Sequence, residues 1–246
     1  MVSFAAGKWG RRVRIGAVSF DADGTLWDFE AVMRHALQIV LGELRGRWPG
    51  SATAALSVEK LIAVRDTVAE RSESVGARLE DIRREAFVET LEQIDGADVA
   101  AADEINELYL HHRFADVEVF DDVTACLDEL AGRYPLGLLS NGNSYPDLCG
   151  LDSRFSFTVF AHDHGVAKPE PRLFRIAAKA VGCPIDELVH VGDGSADIEG
   201  AAAAGCRCVL IDRLGRRPAY ASLADEVISD LRQLPEILDA LGQSRP

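Results

Sequence analysis

Five short apolar runs, each rich in β-branched residues and each ending abruptly in polar or glycine residues, constrain this chain more than any other feature of it. They lie at 14–20 before Asp21, 136–139 before Ser140-Asn141-Gly142, 157–160, 188–191 before Gly192-Asp193-Gly194, and 207–211 before Asp212. Runs that turn polar only at their ends suit strands buried on both faces, as in a parallel sheet covered by helices. The gaps between the later runs are helix-sized, at 170–181 and 195–204, so the pattern repeats β-α-β. The expected fold class is therefore α/β, a doubly wound parallel sheet. Ligands in such folds bind beyond the carboxyl ends of the strands, and Asp21, Ser140, Asn141 and Asp193 all stand there.

One interval breaks the rhythm. From Asp21 to the run beginning at Leu136 the chain is far longer than the dozen or so residues a crossover needs. Within it Met33, Ala36, Leu37, Val40, Leu41 and Leu44 keep i, i+3, i+4 spacing, as do Leu61, Val64 and Val68, then Leu79, Ile82, Ala86 and Leu91, then Ile105, Leu108 and Tyr109. Four amphipathic helices of this kind predict a small bundle inserted into the sheet domain. The expected division is residues 1–27 with 115–246 for the core and 28–114 for the insertion. Trp48-Pro49-Gly50-Ser51 reads as a loop inside the insertion, and 201–204 as helix.

Composition narrows the partners. In 246 residues, 40 acidic side chains against 26 basic ones give a formal charge of −14, which repels nucleic-acid phosphates and anionic lipids. A nucleic-acid or membrane partner is thus not expected, and an anionic ligand would need a local cluster of donors to overcome the field. The five cysteines are odd in number and lack CxxC spacing, so they read as reduced packing residues, Cys206 and Cys208 sharing one face of a strand. The basic residues near the N-terminus follow a very short apolar stretch, the reverse of a secretory signal. No later segment has the length and apolarity of a membrane span. A soluble, cytoplasmic protein is the expectation.

Four constellations carry chemistry. In Asp21-Ala22-Asp23-Gly24-Thr25 two carboxylates stand two residues apart past a strand. The pair serves equally to cap a helix, or one member attacks phosphorus while the other, at a different pKa, protonates a leaving oxygen. A calcium loop also begins D-x-D, but Val32 occupies the position of the closing Glu. Gly192-Asp193-Gly194-Ser195-Ala196-Asp197 places two more carboxylates one helical turn apart, where Asp197 serves as a cap or as a metal ligand. Ser140-Asn141-Gly142 offers a hydroxyl, an amide and backbone N–H groups, the ordinary equipment of a turn and equally of a phosphoryl cradle. Lys168-Pro169 sets a cation before a helix, a solvated loop residue or a partner for an anionic transition state.

Taken in order on strand ends, DADGT, SNG, KP and GDGSAD resemble the haloacid dehalogenase superfamily, and its phosphatase members in particular. The likeness covers about 13–28 and 119–238. It implies a Rossmann-like core with a small helical cap inserted after the first motif, in the manner of the superfamily's first cap subfamily. It further implies Asp21 as nucleophile and Asp23 as general acid and base. Thr25, Ser140 and the backbone around Asn141 would hold the phosphoryl group, with Lys168 as counter-charge. Mg2+ would sit on Asp21, the Asp23 carbonyl and Asp193, supported by Asp197. Gly194 stands where many relatives carry Ser or Thr, with Ser195 one position later.

The activity so implied is hydrolysis of a small phosphorylated metabolite through an aspartyl phosphate. A phosphomutase or phosphotransferase would use the same residues. A 2-haloacid dehalogenase would lack the carboxylate at Asp23, and a catalytically idle binding module would have lost part of the set. The substrate's identity is not written in the motifs. Arg83 and Arg84 could meet a second anionic group or be solvated partners of Glu80 and Glu85, and His162 and His164 could meet a leaving group or be ordinary loop residues. Trp27 reads as a pocket or hinge residue, and the oligomeric state as monomer or homodimer.

Overall fold

Six strands form one sheet: β1 (Ala17–Phe20), β2 (Leu136–Ser140), β3 (Phe157–Phe160), β4 (Leu188–Gly192), β5 (Arg207–Ile211) and β6 (Glu226–Ile228). They pair in the order β3-β2-β1-β4-β5-β6, every pair parallel. This is seen in a computed structural model, which describes residues 14–72 and 78–242. Of the basic N-terminal residues that bore on export, Lys8, Arg11 and Arg12 lie outside the described residues. Every residue of β1, β2, β4 and β5 is buried, which is why these strands read as continuous apolar runs. β1 is shorter than the run that announced it, although Gly16 still donates its N–H to the Glu187 carbonyl at 2.8 Å. β6 escaped prediction because it is three residues long with only its last residue buried.

The strand order places the two central neighbours, β1 and β4, where the sheet's winding reverses. Val18 lies beside Leu136 on one flank and Val189 on the other. The carboxyl ends of β1 and β4 therefore frame the crevice in which open α/β sheets bind ligands.

The chain divides into two units, Met1–Asp28 with Glu118–Pro246 and Phe29–Val117. The second is helical: α1 (Phe29–Arg47), the short α2 (Ser51–Ala54), α3 (Val58–Ser72), α4 (Leu79–Glu92) and α5 (Ala102–Ala115). In α1 the buried positions Val32, Met33, Ala36, Leu37, Val40, Leu41 and Leu44 form one stripe, with Glu30 in the first turn and Arg45 and Arg47 in the last, as the helix dipole favours. That stripe shares a core with Leu61, Phe87, Leu91, Ile105 and Tyr109, so four long helices bury one another as their spacing predicted. Leu79 departs from the pattern: it begins α4 and is exposed.

The sheet unit carries α6 (Val123–Ala131), α7 (Ala161–His164), α8 (Pro171–Val181), α9 (Ser195–Ala204) and α10 (Leu234–Gly242). α8 starts with Pro171 and stops at Gly182, whose φ of +77° is the left-handed conformation that closes many helices. α9 packs Ile198 and Ala201 against the same core as Leu173, Phe174, Leu188 and Leu210. Cys206 and Cys208 are both buried, at the start and in the middle of the β5 region. No helix among the described residues is long and apolar enough to cross a membrane.

Candidate active site

β1 ends at Phe20, and the chain turns out of the sheet through Asp21, whose N–H donates to the Val191 carbonyl of neighbouring β4 at 2.8 Å. That bond ties the first motif to the fourth. Gly24 has φ +86° and lies against Asp193, so a Cβ at this position would collide with the Asp193 carboxylate. Close approach of the two strand exits thus depends on glycine. One oxygen each from Asp21, Asp193 and Asp197 lies within 4.8 Å of the others.

Lys168 sits among these carboxylates, 5% exposed, on the loop leading to α8. Its Nζ donates to Asp21, to Asp197 Oδ1 at 2.6 Å and to the Leu139 carbonyl at 2.8 Å, filling all three of its donor positions. The backbone of Lys168 is fixed by Asn141: its N–H donates to Asn141 Oδ1 at 2.7 Å, and Asn141 Nδ2 donates to its carbonyl at 2.9 Å. The Asn141 side chain thus positions the lysine through its carbonyl oxygen and one amide N–H. The Lys168-Pro169 peptide is cis.

Asp197 has both oxygens engaged. Oδ2 accepts the Gly194 N–H at 3.1 Å, closing the first turn of α9, while Oδ1 faces Lys168 and lies 3.0 Å from His190 Nε2. His190 is fully buried in β4, with Nδ1 2.9 Å from Ser19 Oγ. Burial holds its pKa below the usual imidazole value, against the pull of Asp197. A neutral ring facing an ionised acceptor carries its proton on Nε2, so Nδ1 accepts from the Ser19 hydroxyl. Sequence reasoning missed this relay. Its only signal was an imidazole inside a run otherwise reading as a two-face-buried strand.

One lysine charge cannot neutralise three carboxylates. Burial first, and the Asp197 charge second, push Asp21 well above the usual carboxylate range. The same two causes push Asp193 up to about 6. Asp197 goes the other way: burial opposes its ionisation, but Lys168 and His190 outweigh that and hold it low. Lys168 is correspondingly raised, its two carboxylate partners overcoming burial. An uncompensated negative charge at Asp21 and Asp193 is what a bound cation relieves.

Asp23 is held separately. Trp27 Nε1 donates to its Oδ1 at 2.8 Å and the Ser144 hydroxyl donates to the same oxygen at 3.2 Å. Trp27, 1% exposed, is thus a packed residue that orients Asp23. Ser140 Oγ accepts the Gly142 N–H at 3.0 Å, and its own hydroxyl proton is left to donate. The Thr25 hydroxyl is buried with no hydrogen-bond partner among the described residues, while the Thr25 carbonyl accepts from Arg213 at 2.7 Å.

The remaining sequence candidates fall elsewhere. His162 stacks on Phe160 with ring centroids 5.6 Å apart and lies 3.5 Å from the Tyr145 hydroxyl, whereas His164 is exposed. Within the helical unit, Arg84 pairs with Asp103 at 2.6 Å rather than with Glu80 or Glu85. Arg83 is not a solvated helix residue. It lies over the Tyr109 ring, and its Nη1 is buried with no hydrogen-bond partner among the described residues.

The chain is similar to several known proteins. The chain is 28% identical over 205 residues to the 5-amino-6-(5-phospho-D-ribitylamino)uracil phosphatase YigB of Escherichia coli, covering 80% of this chain and 84% of that one. It is 34% identical over 172 residues to a phosphoserine phosphatase of Thermus thermophilus, covering 66% and 67% respectively. The crystal structure of a 2-haloacid dehalogenase from Pseudomonas syringae pv. Tomato DC3000 superposes with a TM-score of 0.78 at 32% identity, over 92% of this chain and 99% of that one. The haloacid dehalogenase-like hydrolase pattern itself matches residues 15–205, a span that takes in Asp21, Asp23, Asp193 and Asp197. With a matching sheet and that span, the chain belongs to the haloacid dehalogenase-like hydrolases.

Proposed function

We propose that this chain is a magnesium-dependent phosphatase that cleaves a small phosphate monoester through an aspartyl phosphate on Asp21. It is an enzyme of the phosphoric monoester hydrolase class, the class to which its phosphatase relatives belong. The observation that carries the reading is Asp23: a second carboxylate two residues beyond the nucleophile, with one oxygen fixed by Trp27 and Ser144. Attack of a carboxylate on a carbon–halogen bond has no use for it, whereas expulsion of an alkoxide from phosphorus does.

In the first step an Asp21 oxygen bonds to phosphorus as the ester P–O bond breaks, and Asp23 gives its proton to the departing oxygen. In the second, Asp23 takes a proton from water as the water oxygen attacks the phosphorus, releasing phosphate and restoring Asp21. The hydroxyls of Ser140 and Thr25 and the backbone at Asn141 hold phosphoryl oxygens. Lys168 keeps Asp21 and Asp197 apart from each other's charge. Mg2+ suits the oxygen donors of Asp21 and Asp193 and the Asp23 carbonyl, and when bound it supplies positive charge for the phosphoryl oxygens. Asp197, with both oxygens taken, supports Lys168 and His190 rather than ligating. Five free thiols among the described residues favour a reducing, cytoplasmic setting.

A second reading, 2-haloacid dehalogenation, draws on the likeness to the Pseudomonas protein. One experiment separates the two. Phosphate release from a panel of phosphate monoesters, with Mg2+ and with a chelator, is compared with halide release from 2-haloacids. Expected are Mg2+-dependent phosphate release, none of it from Asp21→Asn, and an acid-stable phospho-enzyme in the wild type alone. Halide release without phosphate release, or full turnover by Asp21→Asn, overturns the proposal.

A further inference from the structure

The helical unit carries a second cluster of metal-ligating side chains whose donors differ from those at the strand ends. His35 lies on α1, His112 on the last turn of α5, and Asp116 directly after it. His112 and Asp116 are four residues apart, which sets them on one side of the helix. Ala36, Val40, Ile105 and Tyr109 pack α1 against α5 and so hold His35 opposite them. All three side chains converge on one atom: Asp116 Oδ2 lies 2.7 Å from His112 Nδ1 and 3.2 Å from His35 Nε2. The two imidazoles meet edge to face, with centroids 6.3 Å apart, and His111 braces His112 in the same way at 5.0 Å.

One ligand atom from each of the three residues lies within 4.8 Å of the other two. For a tetrahedral ion with bonds of about 2.0–2.1 Å, ligand atoms are separated by roughly 3.3 Å. Two of the three present separations, 2.7 Å and 3.2 Å, already lie near that value. Two imidazole nitrogens and one carboxylate are the donors Zn2+ takes, with a fourth position left to solvent at this exposed site. Mg2+ prefers an all-oxygen shell, so the two clusters select different ions.

We propose that His35, His112 and Asp116 bind a borderline divalent cation, Zn2+ foremost, and that the ion ties α1 to the end of α5. On binding, each ring moves the proton it turns toward Asp116 to its other nitrogen, and the ion takes the vacated lone pair. This proposal is independent of the phosphatase reading.

The test is calorimetric titration of Zn2+ into chelator-stripped, full-length protein held in excess Mg2+, which occupies the oxygen-rich cluster. Expected is one Zn2+ site, weakened by roughly tenfold or more in His35→Gln and in Asp116→Asn. Both positions are at the surface, so the far-UV circular dichroism of the variants should match the wild type. Absence of Zn2+ binding in the wild type, or wild-type affinity in both variants, overturns the proposal. So does a Zn2+ site that survives both substitutions and disappears in Asp193→Asn, because the ion would then sit among the strand-end carboxylates.

Discussion

Asp193 is under two opposed demands. Burial and the charge of Asp197 push its pKa up to about 6, against 3.8 for the free side chain, so ionising it in the metal-free protein is unfavourable. A carboxyl whose folded pKa lies above its unfolded one lowers stability once it is ionised. That cost is absent below about pH 4, grows as the pH rises through the folded value near 6, and is complete above it. Asp193→Asn should therefore raise the stability of the chelated protein by up to about 3 kcal/mol at pH 7, at roughly 1.4 kcal/mol per pKa unit, and by nothing near pH 4. Urea unfolding of both proteins at the two pH values checks this, and equal stabilisation at both would disprove the assignment. The same variant should be inactive, since the proposed metal carboxylate is gone. Trp27 poses a milder case. Trp27→Phe keeps an aromatic ring in the buried site but removes the N–H that orients Asp23. A neutral hydrogen bond of about 1–1.5 kcal/mol felt in the transition state corresponds to roughly a tenfold fall in kcat, with KM unchanged. A change in KM alone would assign Trp27 to substrate binding instead.

Between elements, a fork of hydrogen bonds joins the segment after β5 to the start of α6. Arg213 Nη1 and Nη2 donate to Asp122 Oδ2 and Oδ1 at 2.8 and 3.1 Å, and the Leu231 N–H donates to Oδ2 at 2.7 Å. The guanidinium also stands 4.0 Å over the Phe120 ring and holds the Thr25 carbonyl. Burial opposes the Asp122 charge, but Arg213 and the Leu231 N–H outweigh it and lower the pKa below the usual value. A depressed carboxyl contributes stability above its unfolded pKa and loses it as the pH falls through the folded value. Asp122→Asn should destabilise the protein by about 1.5–3 kcal/mol at pH 7, and the gap between variant and wild type should narrow below about pH 4. Thermal melts across that range supply the check; a gap independent of pH would mean that shape rather than charge is what Asp122 contributes. This fork also marks where the sequence stops being legible. Asp21, Asp23 and Asp193 could be singled out because each follows a strand whose two buried faces leave an unbroken apolar run. Arg213 could not, because its partners lie 91 and 188 positions away and no local periodicity records such a pairing. Asn141 was recognisable as a residue of the strand end, but not as the clamp on the Lys168 backbone, since its amide serves a cradle or a clamp equally well. β6 lay below recognition for a third reason: a three-residue edge strand buries too little to leave a pattern.

At the scale of the whole molecule, a formal charge of −14 surrounds a site proposed to take an anion. Lys168 is the cation among the strand-end carboxylates Asp21 and Asp197, and its three donors are already committed to Asp21, Asp197 and Leu139. A phosphate monoester approaching from solvent therefore meets a repulsive field until it reaches the hydroxyls and backbone donors of the crevice. Repulsion between a dianion and a distributed surface charge acts over the Debye length, about 30 Å at 0.01 M salt and about 8 Å at 0.15 M. Contacts inside the crevice are shorter than either length and are barely screened. Added salt should thus remove the unfavourable long-range part and leave the favourable short-range part intact, the reverse of what happens in an enzyme that steers its substrate electrostatically. With Mg2+ kept saturating, kcat/KM for a phosphate monoester should rise by a few fold between these two salt concentrations while kcat stays level, because only the encounter is affected. Steady-state kinetics with an inert salt such as KCl measure this directly. A fall in kcat/KM over the same range would mean that a cationic surface guides the substrate.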